Sequence, residues 1–147
     1  MRGWLLDTNV VSELARARAD VRVLAWAQAR HEHDLYISIL TLAEFEKGIE
    51  NLAPGAPARA RLALAVAAIE RRFRNRILPV SNSVIRRWGR LSGRQQREQG
   101  APPPVIDALL AATAIEHDMC LVTRNLRDVA GTNALLLDPW ATAMPPD

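Results

Sequence analysis

Five short apolar runs, separated by longer segments with helical periodicity, constrain the fold of this chain more than any other feature. The apolar runs, each typical of a buried strand, are residues 4–6, 35–39, 77–80, 120–123 and 134–137. The helical segments are residues 9–18, 20–30, 40–52, 57–74, 83–99 and 105–117. Because strands that alternate with helices need crossover connections, the sequence predicts an α/β fold with a parallel sheet and helices on both faces.

Proline and glycine clusters mark loops rather than linkers between domains. The segment PGAP at residues 54–57 predicts a turn between two helices, and GAPPP at residues 100–104 ends one helix before the next begins. A chain of 147 residues is long enough to bury a full core. We therefore expect a single domain spanning residues 1–147.

The composition excludes disordered and membrane-spanning classes. Hydrophobic residues make up 49% of the chain and charged residues 24%, and no apolar run approaches the ~20 residues of a membrane span. The opening residues, MRGWLLDTN, lack the apolar stretch of a signal peptide. A lone cysteine, Cys120, cannot form an internal disulfide. These features predict a cytoplasmic protein with no membrane association.

The basic charge leaves two interpretations open. The net charge of +3 and a pI near 10 allow a polyanionic partner. The arginines cluster in RRFRNR, residues 71–76, and at Arg86, Arg87, Arg90, Arg94 and Arg97. The chain has a single lysine, Lys47, so genome composition and a solvated helix face explain the arginine excess as well as nucleic-acid contact does.

The first predicted strand runs directly into Asp7, Thr8 and Asn9. A dry, unpaired carboxylate at the end of an inner strand costs several kcal/mol or takes up a proton. In open parallel sheets, ligands bind outside the carboxyl ends of the strands, which is where Asp7 falls. The position predicts that Asp7 has a binding partner.

Other acids have structural alternatives that the pattern alone does not exclude. Asp107 lies in the first helical turn of VIDALLAATAIEH, where the helix dipole stabilises a carboxylate by about 0.3 to 1 kcal/mol. Glu44 and Glu46 border opposite sides of one apolar helical stripe, so the helical wheel does not choose between them. Asp128 follows LVTRN and could act as a turn or capping residue.

Several other chemistries lack their sequence patterns. Neither GxGxxG nor GxxxxGK[ST] occurs, and no serine lies in a nucleophile elbow. His31, His33 and His117 have neither the spacing nor the cysteine partners of a zinc site, and Cys120 lies inside an apolar strand. Sites built on metal-bound acids remain.

Four segments in this order resemble the PIN-domain ribonucleases, and most of all the VapC and FitB toxins of bacterial toxin–antitoxin pairs. They are LLDTNVVSEL, ISILTLAEFEKGIENL, VIDALLAATAIEHDMCLVTRN and LLLDPW. The resemblance covers nearly the whole chain. It implies a three-layer α/β fold with a central, parallel, five-stranded sheet flanked by helices, and acidic residues gathered at the strand ends around Mg²⁺ or Mn²⁺.

The resemblance also assigns the acids by position. Asp7 matches the first acid, Glu44 the second and Asp107 the third, whereas the fourth falls on Asp128 or on Asn125. These carboxylates would be the catalytic metal ligands, because oxygen-only ligands select Mg²⁺ or Mn²⁺. The side chains expected to orient them are those of Thr8, Asn9, Thr123 and Asn125.

The implied function is that of a metal-dependent endoribonuclease acting as a toxin. Water activated by the metal would attack an RNA phosphodiester in line. The implied partners are the RNA substrate, a small cognate antitoxin protein and a second copy of the chain, with helical residues 57–69 offering apolar surface. Two alternatives are a catalytically silent PIN domain that binds RNA or antitoxin, and a structure-specific DNA nuclease, which is disfavoured because no helical arch is evident.

Overall fold

The computed structural model describes residues 1–142, which form five strands and seven α-helices. The strands are β1 (Gly3–Leu6), β2 (Leu35–Ser38), β3 (Ile77–Leu78), β4 (Met119–Val122) and β5 (Leu135–Leu137). The helices are α1 (Thr8–Leu14), α2 (Val21–Gln28), α3 (Ile39–Glu50), α4 (Pro57–Arg72), α5 (Asn82–Gln99), α6 (Val105–Glu116) and α7 (Leu126–Val129). Within this part of the chain, every helix is too short or too polar to cross a membrane.

All five strands are parallel and lie in the order β3-β2-β1-β4-β5. The central strand β1 pairs Trp4 with Leu35 of β2 on one side and with Cys120 of β4 on the other. The direction of strand order reverses between β1 and β4, and ligands of open α/β sheets bind at the carboxyl ends of strands at such a switch point. This topology confirms the predicted fold class.

The core consists of two apolar clusters on opposite faces of the sheet. Successive residues of a strand point to opposite faces, so Leu6 joins the cluster with Val10, Trp26 and Phe73, beneath α1, α2 and α4. Leu5 joins the other cluster with α5 and α6. Both leucines are fully buried. The carboxyl end of β1 therefore lies buried between the two helix layers.

The predicted element boundaries need several corrections. β3 ends at Leu78 rather than at residue 80, because Pro79 has no N–H group for the sheet. α1 ends at Leu14 rather than at residue 18, and the Glu13 carboxylate then accepts a hydrogen bond from the Asp20 backbone N–H. The four-residue helix α7 was not predicted, since so short a segment carries no periodic signal. The expected domain end at residue 147 lies outside the described residues.

Candidate functional site

Asp7 directly follows β1 and caps the N-terminus of α1. Its Oδ1 accepts a hydrogen bond from the Thr8 backbone N–H at 2.7 Å, and its Oδ2 accepts one from the Thr123 hydroxyl at 2.6 Å. The residue is only 6% exposed. Burial raises the pKa of Asp7 above its ordinary value, although both hydrogen bonds act in the opposite direction. The carboxylate is therefore fixed in orientation but poorly solvated.

Glu44 is held against the start of α1 by the Thr8 hydroxyl. The Thr8 hydroxyl donates to Glu44 Oε1 at 2.7 Å and lies 3.1 Å from the buried Thr41 hydroxyl. Glu46, which the helical wheel could not distinguish from Glu44, is exposed on the other side of α3. Sequence reasoning did not identify Thr41, although its position one helical turn before Glu44 was a usable signal.

The loop after β4 is tied to the loop after β1. The Thr123 hydroxyl, which donates to Asp7, also accepts a hydrogen bond from the Asn125 backbone N–H at 3.0 Å. The Asn9 side chain lies 3.4 Å from Asp7 Oδ2, and its Oδ1 accepts from the Arg124 backbone N–H. These bonds hold the ends of the two central strands together. The four residues predicted to orient the acids are thus all found in this region.

The negative charges of three other acids act on Asp107. It lies in the first turn of α6, and its pKa is raised to about 6, first by burial and then by the negative charges of Asp7, Asp128 and Glu44. Like charges repel more strongly in a partly buried site than in bulk water. The four acids come from separate segments of the chain, so the fold itself places these negative charges where they act on Asp107.

The donor set fits a hard divalent cation that keeps much of its water. Within residues 1–142, no three His, Cys, Asp or Glu side chains are placed to enclose an ion on their own. Mg²⁺ is usually bound by one or two carboxylates and several waters rather than by a protein cage. The pKa of Asp7 is raised by burial, and that of Asp107 by burial and by the charges of other acids, so both carboxylates gain from such a cation.

The Thr123 hydroxyl allows a test of how Asp7 is held. We expect Thr123→Val to lower the free energy of unfolding by about 1–3 kcal/mol, since it removes a buried hydrogen bond to a carboxylate. Any activity that depends on Asp7 should fall about 10- to 100-fold, because the carboxylate loses its orientation. Urea denaturation and rate measurements check both effects.

Thr113→Val is the matched control, because Thr113 is equally buried but donates only to the Leu109 carbonyl inside α6. It should affect stability alone. Equal activity losses in the two variants would contradict a specific role for Thr123.

Part of the arginine excess has a structural role. Arg72 and Arg76 both pair with Glu32, and Arg76 also donates to the Leu35 carbonyl at 2.6 Å. Arg87 pairs with Glu116 at 2.6 Å. Arg87 also lines a cleft of about 330 Å³ together with Arg90 and Arg94. Nucleic-acid contact by these arginines stays a prediction.

Comparisons with known proteins agree with the geometry. The chain is 31% identical over 143 residues to the VapC ribonuclease Y4jK of Sinorhizobium fredii. The alignment covers 95% of this chain and 99% of the relative. The chain is also 29% identical over 136 residues to Toxin FitB of Neisseria gonorrhoeae. That alignment covers 92% of this chain and 97% of the relative.

Solved structures and family models agree with these sequence relatives. The crystal structure of FitAcB from Neisseria gonorrhoeae superposes with a TM-score of 0.83 at 29% identity, over 95% of this chain and 99% of that one. The model of the PIN domain matches residues 4–130. The resemblance found in the sequence is confirmed, and the chain belongs to the PIN-domain family.

Proposed function

We propose that this protein is the ribonuclease toxin of a toxin–antitoxin pair and that it cuts RNA internally with the help of Mg²⁺ or Mn²⁺. The observation that carries the proposal is the buried carboxylate of Asp7 at the switch point of the sheet, together with Asp107, whose pKa is raised in part by the charges of Asp7, Asp128 and Glu44. The relatives named as a VapC ribonuclease and as Toxin FitB, aligned over nearly their full lengths, support it.

The proposed roles of the acids follow from their surroundings. Asp7 and Asp107 would hold the cation directly, because both are disfavoured as uncompensated anions. When bound, such an ion lowers the pKa of water and stabilises negative charge on the phosphoryl oxygens. Glu44, fixed by Thr8, would orient the attacking water or serve as a further ligand. Asp128, or the neighbouring Asn125, would complete the site.

The hydroxyl and amide groups have positioning roles in this scheme. Thr123 donates to Asp7 and so leaves the other lone pairs of that carboxylate free for a cation. Thr8 does the same for Glu44. Asn9 joins the strand ends by lying between Asp7 and the Arg124 backbone. Each would fix the direction of a carboxylate rather than contact the reacting phosphate.

Cleavage assays with purified protein test the enzymatic proposal. We expect internal cleavage of single-stranded RNA with Mg²⁺ or Mn²⁺ and none with EDTA. Flap DNA and single-stranded DNA of the same sequence serve as comparison substrates. Cleavage confined to DNA would favour the DNA-nuclease alternative, and absence of any cleavage would favour a catalytically silent binding domain.

A small antitoxin is the proposed inhibitor. The helix α4 carries Leu64 at 72% exposure, and an apolar cleft of about 230 Å³ lies between α1 and α4. The cleft is lined by Val11, Leu14, Ala15, Ala65, Ala68, Ile69, Arg72 and Phe73. This surface could be covered by the antitoxin or by a second copy of the chain in a homodimer.

Expression in a bacterial host tests the toxin–antitoxin proposal. We expect growth arrest when the protein is expressed alone and recovery when a small protein encoded beside it is co-expressed. Leu64→Glu should weaken the complex, or the dimer, while preserving the fold, because this leucine is solvent-exposed in the isolated chain. Growth unaffected by the active protein would contradict the toxin role but not the nuclease role.

A further inference from the structure

A groove runs along α3 and begins at the acidic site. We call it the α3 groove; it has a volume of about 450 Å³ and is lined by Ala43, Glu44, Lys47, Gly48, Asn51 and Ile106. Glu44 lines the end of the groove that is nearest the other acids. Ile106, the residue before Asp107, lines the opposite wall. The seven-residue step from Glu44 to Asn51 spans about 10 Å of helix. This length accommodates about three stacked nucleotides at about 3.4 Å each.

Lys47 gives the α3 groove a positive charge one helical turn from Glu44. It is exposed, and none of the ion pairs formed within residues 1–142 includes it. The two carboxylates one helical turn away from Lys47 have other partners, since Glu50 pairs with Arg59 at 2.8 Å and Glu44 accepts from Thr8. The ammonium group is therefore free to meet an anion that approaches the acids.

Gly48 keeps the α3 groove open. A Cβ at this position would meet only Leu62 Cδ2, at 3.9 Å, so packing does not require glycine here. Glycine inside a helix is nevertheless less favourable than alanine. The missing side chain instead allows a ligand to approach the α3 backbone closely. Asn51, at the end of α3, and Ile106 add an amide and an apolar contact farther along.

We propose that the α3 groove binds the sugar–phosphate backbone of single-stranded RNA next to the bond that is cut, with Lys47 contacting a phosphate. This inference rests on the proposed ribonuclease function. The carboxylates alone repel a polyanion, so a cationic side chain beside them is needed to hold the strand in the absence of metal. Lys47 would be a positioning residue for the substrate, and Gly48 would set the width of the α3 groove.

Binding measurements on a cleavage-deficient background test the groove. Asp7→Asn provides the background, and the probe is a fluorescent single-stranded RNA titrated at several salt concentrations. We expect added Lys47→Gln to weaken binding about 3- to 10-fold and to reduce the salt slope by about 0.7, the value for one phosphate contact on a single strand. Lys47→Arg should restore most of the affinity.

Arg2→Gln is the charge-matched control. Arg2 precedes β1 and so lies at the end of the sheet opposite Asp7, and it is exposed. Equal effects of Lys47→Gln and Arg2→Gln on affinity and salt slope would overturn the inference. So would a Lys47→Gln effect confined to antitoxin binding.

Gly48→Gln provides a second, independent variant. The added side chain has room to leave α3 intact, so the melting temperature should not fall, while RNA affinity should drop because the channel is filled. In the active protein, both groove variants should raise KM and change kcat less than twofold. A Gly48→Gln variant that binds RNA as tightly as the parent would overturn the inference.

The uniqueness of Lys47 allows a direct mapping experiment. An RNA with a periodate-oxidised 3′ ribose forms an imine with a nearby amine, with loss of water, and borohydride then reduces it to a stable adduct. Lys47 is the only lysine in the chain, so the peptide that carries it should hold the adduct. Adduct found only on the N-terminal amine would overturn the inference. If the parent protein cuts no RNA, the proposed function fails, whereas cutting without any groove effect leaves that function intact.

Discussion

Replacing Asp7 with asparagine is expected to reduce RNA cleavage by about 10³-fold or more while the protein stays folded. The substitution keeps the size of the side chain and an oxygen that can accept from the Thr8 N–H, but it removes the charge that would hold the cation. Because burial already disfavours the Asp7 anion, the neutral amide should offset part of the lost Thr123 hydrogen bond, and the melting temperature of the metal-free protein should fall less than in Thr123→Val. Cleavage rates and thermal unfolding, measured on the same preparation, check both statements.

The control for this prediction is Asp118→Asn. Asp118 is 65% exposed, pairs with the N-terminal amino group, and lies before β4, away from the carboxyl ends of the strands. Its backbone φ of 54° is one that asparagine tolerates. This variant should cut RNA at the parental rate. Asp7→Asn with parental activity would contradict the assignment of the site.

Asp107→Asn is expected to abolish cleavage and to stabilise the metal-free protein at neutral pH. The pKa of Asp107 is about 6 in the folded protein, against about 3.9 for an unperturbed aspartate. Between these values the folded state holds the proton more tightly than the unfolded state, so the stability contributed by this group falls as pH rises from about 4 to about 6. Above that window the charged form opposes folding.

At pH 7.5 the free energy of unfolding of Asp107→Asn should exceed that of the parent by about 1 kcal/mol. This is less than the full pKa shift corresponds to, because the Asp107 side chain is partly exposed to solvent. Thermal unfolding in EDTA at pH 5 and pH 7.5 checks the sign, since the variant's advantage should grow with pH. Adding Mn²⁺ should raise the melting temperature of the parent and leave that of the variant nearly unchanged. A variant less stable than the parent at pH 7.5 in EDTA would show that the surrounding charges do not destabilise Asp107.

The sequence predicted the sheet well because the strands are its most strongly patterned elements. The runs at residues 4–6 and 35–39 differ from β1 and β2 by one residue each. Helix ends were less accurate, since they depend on tertiary contacts such as that of Glu13 with the Asp20 N–H. The helix α7 escaped prediction because four residues complete only one turn.

The candidate site was predictable only in part from residue patterns. Asp7 could be recognised because it ends a buried strand, whereas Glu44 and Glu46 border the same stripe and are distinguished by burial and by the hydroxyl of Thr8. Periodicity within one helix does not report which border faces another helix. The family resemblance selected Glu44, and the choice between Asp128 and Asn125 as the fourth member stays a prediction.

The α3 groove was not predictable for a related reason. Lys47 and Gly48 look like ordinary helix residues until Ile106, almost sixty positions later, is placed opposite them. Contacts across such a distance in sequence depend on the topology of the sheet rather than on local patterns. The α3 groove is therefore visible only in the folded structure, whereas Asp7 could be recognised from the sequence.

Anomalous diffraction from crystals of the parent protein soaked in Mn²⁺ locates the cation without reference to activity. We expect an anomalous peak among the carboxylates of Asp7, Glu44 and Asp107. Manganese bound only at other surface acids, with these three carboxylates left without a peak, would contradict this expectation.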